Sequence, residues 1–156
     1  MVDLDGGPLA LEAVEAVARR GESVALAPAA RRALDAGRAF VDRLAAGSEP
    51  IYGITTGVGK LKDVVIPPGQ RADLQRNLVL SHAAGVGAPL AEPDVRAIML
   101  LLAASLARGA SGVRPVVVET IVACLNRKVH PVVPELGSVG ASGDLAPLAH
   151  VALCLL

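Results

Sequence analysis

Three consecutive residues near the end of the chain have the types and order needed for a reaction of the backbone itself. Ala141, Ser142 and Gly143 lie in a glycine-rich segment. The amide nitrogen of Gly143 can attack the carbonyl carbon of Ala141 and close a five-membered ring, because glycine has no Cβ to block its nitrogen. Two waters are lost in all, one from ring closure and one that carries the hydroxyl of Ser142, and an exocyclic methylene remains. The product, 4-methylidene-imidazol-5-one, is an electrophile that no ordinary side chain provides.

The triplet is short, and a second copy tests how specific it is. Ala110-Ser111-Gly112 follows Gly109 and is interpreted as an ordinary turn. A helix beginning at Gly143 or Asp144 would place the positive end of its dipole at the ring and favour negative charge there. We therefore predict that a helix starts directly at the later triplet.

Other catalytic and metal-binding motifs are incomplete. Gly57-Val58-Gly59 lacks the third glycine of a dinucleotide-binding loop, and the chain has no HExxH sequence. His82, His130 and His150 do not have the spacing of metal ligands, so no metal site is predicted.

Composition restricts the class of protein and its partners. The 156 residues are 53% hydrophobic and 19% charged, which is too apolar for a disordered chain. Phe40 and Tyr52 are the only aromatic residues, so the core must be aliphatic and no stacking platform for nucleic acid is available. Fifteen basic residues balance fifteen acidic ones. No apolar run reaches the roughly 20 residues that span a bilayer. We predict neither a nucleic-acid nor a membrane partner.

The cysteines and the N-terminus bear on the cellular compartment. Cys124 and Cys154 each lie in an apolar run and are predicted to be buried free thiols, with a disulfide or metal pair as the alternative. Asp3 and Asp5 stand where a signal peptide would carry cations. The expected location is the cytoplasm.

The elements that must position the triplet are predicted to be mainly helical. Prolines and glycines mark helices over 8–20, 28–47, from 67, over 93–109, over 115–125 and from 145, with a short strand over 23–27. Two glycine-rich loops, 51–59 and 137–144, separate these elements. No linker divides residues 1–156, which we interpret as one region. The apolar end at 145–156 indicates the N-terminal part of a larger, truncated protein; the alternative is a terminal helix that docks on a partner subunit.

Three segments resemble the aromatic amino-acid ammonia-lyases. Residues 137–150, GSVGASGDLAPLAH, resemble the signature around the family's prosthetic group. Residues 51–59, IYGITTGVG, resemble its tyrosine loop, and residues 80–90, LSHAAGVGAPL, resemble its third block. The resemblance covers nearly the whole chain but about the first third of the family's usual length. It implies a mainly α, helical ammonia-lyase-type N-terminal region with a few short β-strands and glycine-rich active-site loops.

The resemblance also implies roles for individual residues. Ala141 and Gly143 would form the cross-link and Ser142 the dehydroalanine of an autocatalytic prosthetic group, with no external cofactor. Tyr52 would be the base that takes the β-proton of the substrate, in a site that favours its phenolate. His82 would contact the substrate side chain. The alternatives are a packed aromatic residue at 52 and a histidine satisfied within helix packing at 82.

The activity that the resemblance implies is the conversion of L-histidine to trans-urocanate and ammonia by a homotetramer with shared active sites. A tyrosine ammonia-lyase or aminomutase is the alternative within the family, and a non-catalytic truncated remnant is the alternative outside it. Thr55 stands where the family usually has Asn, and Val58 where histidine-specific members usually have Phe. Ser81, Asp144 and His150 are interpreted as support. Because later substrate-binding residues are absent, we expect these 156 residues alone to be inactive.

Overall fold

Six α-helices and three two-stranded sheets make up the computed structural model, which describes residues 1–156. The helices are α1 (Leu11–Arg20), α2 (Pro28–Ala46), α3 (Arg71–His82), α4 (Glu92–Leu106), α5 (Pro115–Asn126) and α6 (Ala146–Leu153). The strands are β1 (Val2–Leu4), β2 (Val24–Leu26), β3 (Val86–Pro89), β4 (Pro134–Leu136), β5 (Val139–Gly140) and β6 (Gly143–Asp144). The predicted mainly helical class with short strands is confirmed. No helix has both the length and the apolar character that crossing a membrane requires.

Proline and glycine set most of the helix ends. Pro28, Pro93 and Pro115 occupy the first turns of α2, α4 and α5, where a missing amide hydrogen costs no helical bond. Gly21 ends α1 in the left-handed conformation at φ +69°, as the sequence predicts. Helix α4 ends at Leu106, before the predicted end at Gly109.

The core is built around α4, which packs against α1, α5 and α6. Val95, Met99 and Ala103 recur every four residues along α4 and present one buried face. The rest of the main cluster is also aliphatic and comes from α1, α2, α5, α6, the first two strands and two connecting segments, for example Leu4, Val17, Leu34, Ile121 and Val151. The predicted aliphatic core is confirmed.

One buried arginine joins two helix ends to a histidine. Arg96 in α4 is 3% exposed. Its Nε donates to the carbonyl of Val17 at 2.9 Å, and its Nη1 donates to the carbonyl of Leu125 at 3.1 Å and to Nε2 of His130 at 2.9 Å. Burial lowers the pKa of His130; Glu92 opposes this shift and Arg96 adds to it. The Arg96 side chain therefore donates to carbonyls in the last turns of α1 and α5; the Leu125 carbonyl also accepts from the nitrogen of Lys128 at 3.3 Å.

The predicted short strand over 23–27 is present as β2, which pairs in parallel with β1. Val2 pairs with Val24 and Leu4 with Leu26. The side chain of Asn126 continues this ladder, because its Oδ1 accepts from the Val24 nitrogen and its Nδ2 donates to the Val24 oxygen, both at 2.8 Å. The end of α5 is thereby fixed to β2.

The prediction that both cysteines are buried is wrong for Cys154. Both thiols are free, Cys124 is half-buried against the core, and Cys154 is exposed just after α6. Val151 and Leu155 take the core-facing positions of this last turn, which leaves Cys154 on the outer side.

Candidate active site

The Ala141-Ser142-Gly143 triplet forms the tip of a β-hairpin. Strands β5 and β6 pair antiparallel, with Gly140 opposite Gly143, so Ala141 and Ser142 are the turn. Gly143 has φ +82°, which favours glycine, and a Cβ built on Gly143 would meet no atom within 4 Å. The tip is exposed, and the ring-closing atoms are not covered by other parts of the chain.

The predicted helix start at Gly143 or Asp144 is wrong, since α6 begins at Ala146. The hairpin takes residues 143 and 144 into strand β6 instead. Asp144 explains the change, because its Oδ1 accepts from the backbone nitrogens of Ser138 at 3.2 Å and Ala146 at 3.1 Å. One carboxylate therefore holds the base of the hairpin and the first turn of α6 together.

The second triplet, 110–112, has a different environment. It lies in the turn between α4 and α5, where Gly112 is buried and has φ +64°. A Cβ on Gly112 would overlap the side chain of Val41 in α2. The interpretation of this copy as an ordinary turn agrees with the close packing of Gly112, whereas Ala110 and Ser111 are exposed.

A cavity of about 360 Å³ brings the hairpin next to the end of α3. Ser81 and His82 line it together with Ala141, Ser142 and Gly143. Two of the three segments that carry the sequence resemblance therefore meet in space, although about sixty residues separate them along the chain.

His82 is oriented by its own helix. Its Nδ1 lies 2.7 Å from the carbonyl oxygen of Leu78, and Ser81 Oγ donates to the same carbonyl at 3.1 Å. Because a carbonyl oxygen only accepts, Nδ1 carries the proton in the neutral ring and Nε2 is left as an acceptor. Nε2 forms no hydrogen bond within the chain, so the ring has a free polar atom to offer a ligand.

Tyr52 lies apart from this cavity. Its side chain is 64% exposed and does not line the space between His82 and the triplet. The phenolic oxygen accepts a hydrogen bond from the backbone nitrogen of Gly59 at 3.2 Å. A backbone donor at this oxygen is bound more strongly by a phenolate than by a phenol.

Thr55, which the sequence analysis noted only as a departure from the family, orders the tyrosine loop. It is fully buried, and its hydroxyl accepts from the nitrogen of Ile51 at 2.7 Å and donates to the oxygen of Glu49 at 2.5 Å. Its backbone also accepts from the nitrogen of Ile66 at 2.8 Å, which fixes the loop to the next segment. A threonine between two glycines, Gly53 and Gly57, was the available sequence signal for this role.

Comparison with known proteins places this chain in a family. The model of the aromatic amino acid lyase family matches residues 9–156. The chain is 55% identical over 152 residues to histidine ammonia-lyase of Stigmatella aurantiaca, covering 97% of this chain and 30% of that protein. The chain belongs to the aromatic amino acid lyase family.

Solved structures agree with this assignment. The structure of tyrosine aminomutase from Streptomyces globisporus superposes with a TM-score of 0.91 at 40% identity, covering 97% of this chain and 28% of that one. Histidine ammonia-lyase from Trypanosoma cruzi gives a TM-score of 0.88 at 36% identity, covering 99% of this chain and 29% of that one. The predicted ammonia-lyase-type fold is confirmed, and the chain spans about 30% of the length of the curated relatives it matches.

Proposed function

We propose that residues 1–156 are the N-terminal region of a longer histidine ammonia-lyase, which converts L-histidine to trans-urocanate and ammonia. The observation that carries the proposal is the cavity lined by both His82 and the 141–143 triplet. Relatives that are 55–57% identical to the chain and carry the name histidine ammonia-lyase support the choice of substrate.

The residues at the hairpin tip fit the autocatalytic 4-methylidene-imidazol-5-one group. Gly143 has φ +82° and no Cβ beside its nitrogen, and Ala141 and Ser142 occupy an exposed turn. Asp144 keeps the two strands of this turn together. When formed, the group supplies an electrophilic methylidene carbon, and no external cofactor is required.

The chain's own residues then divide the remaining work. Tyr52 takes the β-proton of the substrate on its phenolate oxygen, which the N–H of Gly59 stabilises. The complete enzyme must bring the tyrosine loop and the cavity to one substrate, since Tyr52 does not line the cavity in these 156 residues. Catalysis needs a positioned set of groups, so these residues alone are proposed to be inactive.

His82 selects a substrate with a polar ring. Its free Nε2 can accept a hydrogen bond from the N–H of an imidazole, whereas a phenyl ring offers no donor. A site built around a buried polar contact rejects analogues that lack the matching group, because its own polar atom is then left unpaired.

Tyrosine is the second candidate substrate, acted on by a lyase or an aminomutase. The likeness to tyrosine aminomutase at a TM-score of 0.91 favours this alternative, and a phenolic O–H could also donate to Nε2 of His82. A truncated, non-catalytic remnant is the remaining alternative, which predicts no turnover of any amino acid.

The complete protein is further proposed to be a cytoplasmic homo-oligomer, a tetramer by analogy with the family. Exposed leucines near the cavity support an additional packing surface, since Leu80, Leu145 and Leu148 are each more than 40% exposed.

The substrate is tested with the purified full-length protein and three amino acids. L-Histidine, L-tyrosine and L-phenylalanine are supplied separately, and urocanate, coumarate, β-tyrosine, cinnamate and ammonia are quantified. We expect the largest kcat/KM for histidine, with urocanate and ammonia in equal amounts. Preferential formation of coumarate or β-tyrosine would establish the tyrosine alternative, and absence of all products would establish the remnant.

A further inference from the structure

A hydrogen bond connects α6 to the segment that follows His82. The backbone N–H of Gly85 donates to Nε2 of His150, with the two nitrogens 3.1 Å apart. Gly85 comes three residues after His82, and His150 comes in the second turn of α6, eight residues after Ser142. The bond therefore joins chain segments adjacent to two groups of residues that line the cavity.

The packing at Gly85 is tight, since a side chain there would require its neighbours to shift by a few tenths of an ångström. A Cβ at this position would lie 3.1 Å from Nε2 of His150 and 3.2 Å from Cβ of Pro134. Pro134 belongs to β4 and pairs with Pro89 in β3. The end of α3, helix α6 and the β3–β4 pair thus meet at one glycine, so a displacement of α6 is transmitted to the segment after His82.

Helix α6 is held at two points along its length. An N–H only donates, so Nε2 of His150 is unprotonated and the neutral ring carries its proton on Nδ1. At the first turn, Oδ1 of Asp144 accepts from the nitrogen of Ala146 and from that of Ser138. The first turn of α6 is therefore fixed to the hairpin, and its second turn is fixed to the segment after His82.

We propose that His150 is a positioning residue that fixes His82 relative to the 141–143 triplet through the Gly85 N–H. This inference rests on the proposed function. Without an acceptor at position 150, the partly buried N–H of Gly85 loses its hydrogen-bond partner. The segment that follows His82 can then shift against α6. Small misplacements of groups in an active site cost much of its rate, on the order of 10²-fold for 1 Å.

The test compares His150→Leu with His150→Gln in the full-length protein. Leucine removes the acceptor, whereas the amide oxygen of glutamine can replace it. For His150→Leu we expect kcat/KM for histidine to fall about tenfold, the size expected for one lost hydrogen bond. Turnover of phenylalanine should change much less, because an apolar ring makes no polar contact with His82. His150→Gln should recover most of the histidine activity.

A readout independent of turnover is the hydrogen exchange of the Gly85 amide. It should be faster in His150→Leu than in the unmodified protein or in His150→Gln. If His150→Leu does not fold, His150→Phe, which retains a ring without an acceptor, replaces it in both measurements. Equal losses for both substrates, failure of glutamine to rescue, or unchanged exchange at Gly85 would each overturn the positioning role. Absence of turnover in the unmodified protein would instead overturn the proposed function.

Discussion

The phenolic oxygen of Tyr52 lies 3.2 Å from the backbone nitrogen of Gly59 and accepts its hydrogen bond. Gly59 begins a short 3₁₀ turn, Gly59–Leu61, with φ +58°, a conformation that favours glycine. The tyrosine loop therefore folds back so that a residue seven positions later supplies a donor to the phenol. This contact gives the proposed base a partner that does not depend on a cationic side chain.

Replacement of this hydroxyl should remove the proton acceptor without affecting formation of the prosthetic group. Tyr52→Phe in the full-length protein is expected to lower kcat by about 10² to 10⁴-fold, the usual contribution of a general base. The mass of the purified variant should still show the dehydrated triplet. Activity within a few fold of the unmodified protein would exclude Tyr52 as the base.

His82→Leu tests the choice of substrate. Because the variant leaves the substrate imidazole N–H without an acceptor, kcat/KM for histidine should fall by about 10²-fold, or ~3 kcal/mol. Phenylalanine should lose far less, since its ring packs against the introduced leucine. Steady-state kinetics with both substrates on one folded variant measures the ratio. Parallel losses together with reduced thermal stability would instead indicate a structural role.

Thr55→Val tests the order of the tyrosine loop. The change keeps the shape of the side chain but leaves the nitrogen of Ile51 and the oxygen of Glu49 without their buried partner. We expect a loss of about 1–3 kcal/mol in the free energy of unfolding. Thr55→Ser should retain most of the free energy of unfolding, because serine keeps the hydroxyl.

Thr120→Val is the matched control for this change. The Thr120 hydroxyl donates only to the carbonyl of Val116 within its own helix, at 2.7 Å. Its removal should change stability little. Thermal or denaturant unfolding of the three variants measures the loss of stability at each position. An equal loss for Thr55→Val and Thr120→Val would contradict the proposed role of Thr55 in ordering the tyrosine loop.

The His130 site predicts a loss of stability at mildly acidic pH. Burial lowers the pKa of His130 below its ordinary value of 6.5 in the folded chain, so the unfolded chain binds the proton more readily. Stability should therefore fall as the pH drops below about 6.5, and this loss should stop once the folded protein is also protonated. His130→Gln, whose amide oxygen can still accept a hydrogen bond from Arg96, should reduce this dependence of stability on pH.

Melting temperatures at about pH 7.5 and about pH 5.5 measure this contribution. The melting temperature should fall further between the two pH values for the unmodified full-length protein than for His130→Gln. An identical loss in both proteins would show that His130 contributes nothing to the pH dependence.

The sequence predicts the helices better than the arrangement of the candidate site. Pro28, Pro93 and Pro115 act locally and mark helix starts that the structure confirms. The hairpin over 139–144 has strands of two residues each, too short to produce a periodic pattern. Its geometry depends on the contacts of the Asp144 side chain, which no local propensity reveals.

The meeting of His82 with the triplet is also beyond local sequence reasoning. Helix α3 contains no fully buried residue, so its hydrophobic pattern does not specify how it packs against α6. Only the family resemblance predicted that both segments belong to one site. The roles of Tyr52, His82 and the triplet remain predictions, which substitutions at these positions test.

We propose that Ala141-Ser142-Gly143 becomes an electrophilic prosthetic group in the full-length protein. Intact-mass measurement, followed by peptide mapping of the 137–150 region, detects this modification. We expect a mass about 36 Da below that of the translated sequence, the loss of two waters, confined to the triplet. Ser142→Ala should abolish this loss, whereas Ser111→Ala, in the second copy of the triplet, should leave the mass loss unchanged. An unmodified mass in folded full-length protein would contradict the claim.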